Sequence, residues 1–347
     1  MGKLTIGYWP NSVDCKAPGD RRRLMYWANA RNHSIILNSY KSCDALVFTS
    51  KHDLGIVRKM PQYIPKFLDF PDQYIEETSL IKDYGRAFVR GLANGLPFPL
   101  EKFSDQIEKV ISQEIEVICS SPEQAVRYQI LGARVSSVLD FHEEFPDIPF
   151  KKRSLTSDVC KIMWEGQSGN LDSLATILTE LNFSLDSKFS LTVVTDEIKY
   201  KFANRYFAKP SVVFLESKNK PKGLQITLIP WKVENVVEQF QRNHMALIPV
   251  NLLNGVSGMK PENRILIAWR LGLPVLAGFS QSHQRLAEII GLDFVVKGAH
   301  WSSKIYEMYS DCELAEHQVS RGKEYLKNFH NREVLLDKWD SIFAGVC

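Results

Sequence analysis

No stretch of this 347-residue chain is apolar for long enough to cross a bilayer as a helix. The sequence has no C-x-x-C pair either. Its six cysteines stand singly at 15, 43, 119, 160, 312 and 347, which points away from a zinc ribbon or a disulfide framework and predicts reduced thiols. The opening MGKLTIGYWPN lacks a basic segment followed by an apolar run, and Gly2 lacks the Ser or Thr four residues on that myristoylation takes. A cytoplasmic protein is therefore expected. Net charge is only +3, so no global field favours a nucleic-acid partner. Internal repeats and low-complexity segments are missing, and no Asp-x-Asp stands at a strand-to-loop junction. No essential metal and no cofactor are expected.

What is present describes an ordinary globular protein, 44% apolar and 24% charged, whose length fits two domains. In residues 1–150 short apolar runs alternate with helical patterns. LTIGYW, SIIL, CDALVFTS, EIEVICSS and ARVSSVLD read as strands. GDRRRLMYWANAR, SLIKDYGRAFVRGLANG and PEQAVRYQILG read as helices, the last with Pro122 at its first position. Residues 141–157 hold two prolines and mixed charge and read as a linker. The pattern then restarts. CKIMWEG, FSLTVVTD, LQITLIPW, HMALIPV, LPVLAG and FVVKG are strands separated by helices, and the tail from about 302 is helical. Repeated strand–helix–strand units predict an α/β fold: two Rossmann-like parallel-sheet domains facing a cleft, with a C-terminal helical tail. In such sheets ligands bind beyond the carboxyl ends of the strands.

Three stretches carry candidate chemistry. MKPENRILIAWRLGLPVLAG, residues 259–278, starts a helix near Pro261 or Glu262 with Lys260, Asn263 and Arg264 at its mouth. A helix N-terminus exposes unpaired N–H groups and about half a positive charge, so cations there are unfavourable without an anion. The preceding Gly255 and Gly258 allow close approach of backbone to a ligand. The loop EGQSGN offers Gly166, Ser168, Gly169 and Asn170 between a strand and a helix, a backbone cradle for phosphate, unless Asn170 merely caps the helix. The third is GYWPNSVDCKAPGDRRR, where Asp20 precedes Arg21, Arg22 and Arg23. Arginines in a first turn gain nothing from the helix dipole, so an anionic ligand is expected for Arg21 and Arg22.

The segment KPENRILIAWRLGLPVLAG resembles the donor-binding segment of glycosyltransferases with the GT-B fold. IMWEGQSGNLDSLATIL, LIPWKVENVVEQFQRNHMALIPV, VICSSPEQAVRYQILGARVSSVLD and RGKEYLKNFHNREVLLDKWDSIF resemble further pieces of that fold, in order and over nearly the whole chain. The resemblance implies an N-terminal acceptor-side domain (1–150), a C-terminal nucleotide-sugar-binding domain (151–325) and a helix (326–347) returning to the first domain. One departure stands out. Family-4-type members carry two glutamates eight positions apart around the 261–271 helix, and the corresponding places here hold Met259 and Ile267.

The implied activity is transfer of a hexosyl or related sugar from a nucleotide sugar to a hydroxyl of a glycan or lipid-linked acceptor, in surface polysaccharide or glycoconjugate biosynthesis. Expected donor contacts are Gly166, Ser168, Asn170, Trp231 on the base, Glu234 on the ribose, Lys260, Asn263 and Arg264. Inversion would need a base for the acceptor proton. Asp20 leads and His52 follows, ahead of Asp14, Asp53, His142 and Glu143. Arg21–Arg23 or Lys151–Arg153 are candidate contacts with the inner face of a membrane. An epimerase of the same fold, a non-catalytic binding or scaffold subunit, and a two-domain binding protein remain as alternatives.

Overall fold

The structure, a computed structural model, describes residues 2–52, 54–72, 80–93, 101–111, 115–152, 159–181, 188–202, 206–221, 224–251 and 258–346. The expected contributions of Asp53, Arg153 and Gly255 lie outside the described residues. The chain forms two compact units. The first holds residues up to His142, a short stretch ending at Pro261, and the tail from His330. The second begins at Glu143 and includes the stretch from Glu262 to Phe329.

The first unit is built on β1 (Thr5–Trp9), β2 (Ser34–Leu37), β3 (Ala45–Thr49), β4 (Lys66–Phe70), β5 (Glu116–Cys119) and β6 (Arg134–Ser137). All pair in parallel, in the order β2-β1-β3-β4-β5-β6. β3 is buried along its whole length, as a parallel strand covered on both faces must be. Helices α1 (Pro18–Arg21), α2 (Leu24–Ala30), α3 (Gly55–Lys59), α4 (Leu80–Ala93), α5 (Phe103–Ile111) and α6 (Pro122–Ile130) accompany it. The helix expected over 19–31 is broken, because Arg23 leaves helical geometry between α1 and α2. β4, α3 and α5 carry no clear signal in the sequence. In β4 the charge at Asp69 hides a strand whose last four residues are buried.

The second unit repeats the plan. β7 (Val159–Glu165) leads through a 3-10 turn (Ser168–Asn170) into α7 (Leu171–Glu180), then β8 (Lys188–Thr195). An antiparallel hairpin, β9 (Ile198–Phe202) and β10 (Tyr206–Pro210), follows with α8 (Ser211–Glu216). Neither was legible in the sequence pattern. Next come β11 (Gln225–Pro230), α9 (Val233–Arg242), β12 (Met245–Ile248), α10 (Asn263–Arg270), β13 (Val275–Gly278), α11 (Gln281–Ile290) and β14 (Val295–Val296). The parallel sheet runs β11-β8-β7-β12-β13-β14. α12 (Trp301–Ser310) and α13 (Cys312–Phe329) close the unit, and α14 (Arg332–Phe343) returns to the first.

α14 explains its own place. Asn331 caps it by accepting from the Val334 N–H, and Trp339 and Phe343 stack with Trp27 over the first sheet. The linker behaves differently from expectation. Residues 143–148 pack on the second unit: the Phe145 oxygen accepts from Arg270 Nε (2.7 Å), Ile148 N donates to the Arg270 oxygen (2.8 Å), and Glu143 pairs with Arg270. The units therefore divide after His142 and before His330, rather than at 150 and 325.

α10 is held from behind by α13. Gln318 on α13 accepts from Val275 N (2.6 Å) and donates to the Val275 oxygen (3.1 Å), bonding to β13 as an extra strand would. Gly322 lets the helices touch, for a Cβ there would lie 2.2 Å from the buried ring of Trp269. Gly322→Ala is expected to lose about 1–3 kcal/mol by overpacking, read as a lower urea midpoint.

Candidate functional site

Each sheet has one point where successive connections leave in opposite directions. In the second unit it falls between β7 and β12, in the first between β1 and β3. Crevices at the carboxyl ends of strands at such points are where α/β sheets bind ligands.

The crevice of the second unit is occupied by Arg264 from the first turn of α10. Its Nη1 donates to the backbone oxygen of Glu165 at the end of β7 (3.1 Å), and its guanidinium lies 5.9 Å from the centre of the Trp164 ring. Burial draws the Arg264 pKa below its ordinary value, against the upward pull of Glu165. Among the described residues no carboxylate forms an ion pair with it. Four of its five N–H donors are therefore unspent on the protein's described groups. Gly166 follows directly. A Cβ there would stand 3.1 Å from Trp164 and 3.3 Å from Arg264 Nη1, so glycine keeps that space open. α7, α9 and α10 begin beside this edge without side-chain caps, at Asn170, Lys232 and Glu262. Their positive ends add to the field of Arg264.

The loop after Gly166 departs from the phosphate cradle expected of it. Ser168 is buried, its N–H donates to Asp196 Oδ2 (2.8 Å), and its hydroxyl donates to the Ile198 oxygen (3.0 Å). Lys199 on β9 reaches the Ser168 oxygen (3.2 Å) and Asp172 (2.9 Å). Both Ser168 donors are thus spent, the N–H on the connection after β8 and the hydroxyl on the hairpin, which the sequence pattern did not reveal. Asn170 N–H turns back to the Gln167 oxygen, and its side chain makes no cap.

Trp231 and Glu234 lie at the start of α9. Trp231 is half-buried and its indole N–H donates to Glu165 Oε1 (2.6 Å), so it is tied by its edge. Glu234 is exposed. The helix expected from 261 starts at Asn263. Glu262 before it is buried and pairs with Arg285 (2.6 Å). Asn263 is half-buried in the first turn, whereas Lys260 belongs to the stretch grouped with the first unit.

In the first unit the expected base Asp20 has another task. It is fully buried and accepts from five donors: Tyr8 OH, Asn11 N, Asn11 Nδ2, Ser12 N and Ser12 Oγ. It shapes the loop after β1 and has no face left for an acceptor hydroxyl. The arginines also divide. Arg23, fully buried, forks onto Asp69 (2.7 Å) and reaches Asp140 (3.1 Å), Ser120 Oγ and the Val138 oxygen. Arg22 is buried, and Arg21 Nε donates to the Lys16 oxygen (3.0 Å). The cluster that suggested an anionic ligand is in part a folding element whose anions are Asp69 and Asp140.

His52 lies at the switch point of this first sheet. Its Nε2 is 2.8 Å from the Pro10 oxygen, just past β1. A carbonyl only accepts, so Nε2 carries a proton in this contact. Sequence reasoning missed Glu165, Asp69 and Gln318, whose roles depend on partners far along the chain.

No protein-family model and no curated protein matches the chain. Solved structures do. HepE of Anabaena, in complex with UDP and glucose, matches with a TM-score of 0.60 at 9% identity, over 99% of this chain and 100% of that one. WaaG, a glycosyltransferase involved in lipopolysaccharide biosynthesis, matches at 0.55 and 11%, over 98% and 99%. TarM of S. aureus, in a complex containing UDP and alpha-GlcNAc-glycerol, matches at 0.57 and 12% over 86% of this chain, which spans 56% of the TarM chain. At these identities the likeness is one of fold: this chain has the GT-B fold of glycosyltransferases. Among the described residues no helix is long and apolar enough to cross a membrane, and no group of three or more His, Cys, Asp and Glu is placed to hold a metal.

Proposed function

We propose that the chain is a glycosyltransferase that moves a hexosyl or related sugar from a nucleotide sugar to a hydroxyl of a glycan or lipid-linked acceptor. The observation that carries this reading is Arg264: a half-buried guanidinium with no described carboxylate partner, in the switch-point crevice of the second sheet and beside Gly166. A nucleoside diphosphate supplies the missing anion. The GT-B fold and the UDP complexes of HepE and TarM support it. We place the work in surface polysaccharide or glycoconjugate synthesis in the cytoplasm, where a lipid-linked acceptor would bring the protein to the inner membrane face. Arg21, or instead the exposed Lys151 and Lys152, would meet it there.

In this mechanism a base takes the proton of the acceptor hydroxyl as its oxygen bonds to the anomeric carbon, and His52 is our candidate for that base. The bond from that carbon to the diphosphate breaks, and its electron pair passes to the phosphate oxygen. Arg264 and the first-turn N–H groups of α10 stabilise the charge that develops. Asn263, in the same first turn as Arg264, is a further donor contact. Cations and helix ends do the work of a metal, so excess EDTA is expected to leave turnover unchanged. His52→Ala is expected to lower kcat by about 10²–10⁴-fold with little change in donor affinity.

The test is turnover of a panel of nucleotide sugars with and without candidate acceptors, read as release of nucleoside diphosphate. Release that depends on an acceptor supports transfer. Donor turnover without acceptor would replace this reading with the epimerase, and no turnover of any donor that binds would replace it with the binding subunit.

A further inference from the structure

The donor site holds an acid that nothing in the mechanism above uses, and the following rests on that donor-site reading. Glu165 ends β7, one residue before Gly166. Its carboxylate is half-buried, and Oε1 accepts from the Trp231 indole at 2.6 Å. Its own backbone oxygen accepts from Arg264 at 3.1 Å. Acid and guanidinium are neighbours, close enough for Glu165 to oppose the effect of burial on Arg264. Yet among the described residues no ion pair joins them.

Opposite charges this close ordinarily pair, since a bidentate arginine–carboxylate contact is the strongest one available to both. Here each is held off by a neutral backbone or indole group. Trp231 fixes the carboxylate without neutralising it, and one N–H leaves most of its roughly four acceptor positions open. The end of β7 therefore presents a site for an anion and a site for hydrogen-bond donors side by side. A ligand filling both carries a phosphate with donor groups next to it. In a nucleotide sugar the donors nearest the phosphates are hydroxyls, because the base lies beyond the ribose.

We propose that Glu165, positioned by Trp231, is the specificity-determining residue that reads hydroxyls next to the phosphate lodged at Arg264. The hydroxyls come from one of two places, the ribose or the transferred sugar.

The test is calorimetric titration of the full chain and Glu165→Gln. The ligands are whichever of UDP, GDP and CDP binds best, its 2′-deoxy and 3′-deoxy counterparts, and its glucose, galactose and N-acetylglucosamine conjugates. Gln keeps an oxygen for the Trp231 N–H, so the fold is retained. Trp231→Phe is the second variant, leaving the carboxylate unfixed. If the ribose is read, the wild type prefers the ribonucleotide over a deoxy form by about 10–100-fold, and Glu165→Gln brings that ratio below about 3-fold. If the transferred sugar is read, the deoxy forms bind like the parent, and Glu165→Gln weakens a sugar conjugate at least 10-fold more than the free nucleotide. Trp231→Phe reduces the same ratio in either case. Ratios unchanged in both variants would overturn the assignment while leaving the donor site intact. Absence of nucleotide binding to the wild type would overturn both.

Discussion

Replacing Arg264 by alanine is expected to lower kcat/KM for the sugar donor by at least about 10³-fold while leaving the melting temperature unchanged or higher. The loss has two parts. A hydrogen-bonded charge on the donor phosphate contributes about 1.5–3 kcal/mol to binding. A fixed donor aimed at charge that develops in the transition state adds about 10²–10³-fold in kcat. The stability sign is opposite because the folded protein holds this guanidinium half-buried, without a described carboxylate, over Trp164. Removing a partly buried charge that lacks a counter-ion removes part of that desolvation cost. Arg264→Lys should recover little, since a point charge cannot reproduce the planar fork. Steady-state kinetics beside thermal melts read both effects. A variant that loses activity and stability together would make Arg264 a structural residue.

Asp69→Ala is expected to produce the largest loss of stability, about 3–5 kcal/mol, read as a lower urea midpoint for the first unit. The cause is the buried arginine it leaves behind. Burial opposes the charge on Arg23, but Asp69 and then Asp140 hold its pKa above the ordinary value. Without Asp69 the guanidinium loses its bidentate partner (2.7 Å) at zero exposure. The reverse variant has a pH signature. In the native chain burial already pushes the Asp69 carboxyl up, against the pull of Arg23. In Arg23→Met only the upward effects of burial, Asp140 and Asp20 remain. A carboxyl whose folded pKa lies above its unfolded value favours the folded state at low pH. That contribution disappears as pH rises through the folded pKa. Arg23→Met should therefore lose stability more steeply than the wild type as pH rises above the ordinary carboxylate range, and urea midpoints along that rise check it.

Much of the fold was legible because buried parallel strands write themselves as continuous apolar runs. LTIGYW and ALVFTS became β1 and β3, and VLAG became β13. KFLDF did not read as a strand, because its acid is intelligible only with Arg23, 46 residues earlier. The hairpin β9–β10 was equally silent, and it takes the hydroxyl of Ser168. The same limit applied to the sites. Arg264 and Gly166 stood out by their place at a strand end and a helix start. Asp20 looked catalytic because a polar loop carries no mark of how many donors converge on an acid. Glu165 passed unnoticed because its importance comes from Trp231 and Arg264, 66 and 99 residues away.

The most direct measurement is a calorimetric titration of the full chain with UDP, GDP and CDP, run in parallel on Arg264→Ala. The account predicts that one nucleotide class binds the wild type, and that binding falls by about 10–150-fold in the variant, the loss of one charged hydrogen-bonding group. Failure of all three to bind, or binding undiminished in Arg264→Ala, would contradict the claim that the β7–β12 crevice is a nucleotide-sugar phosphate site.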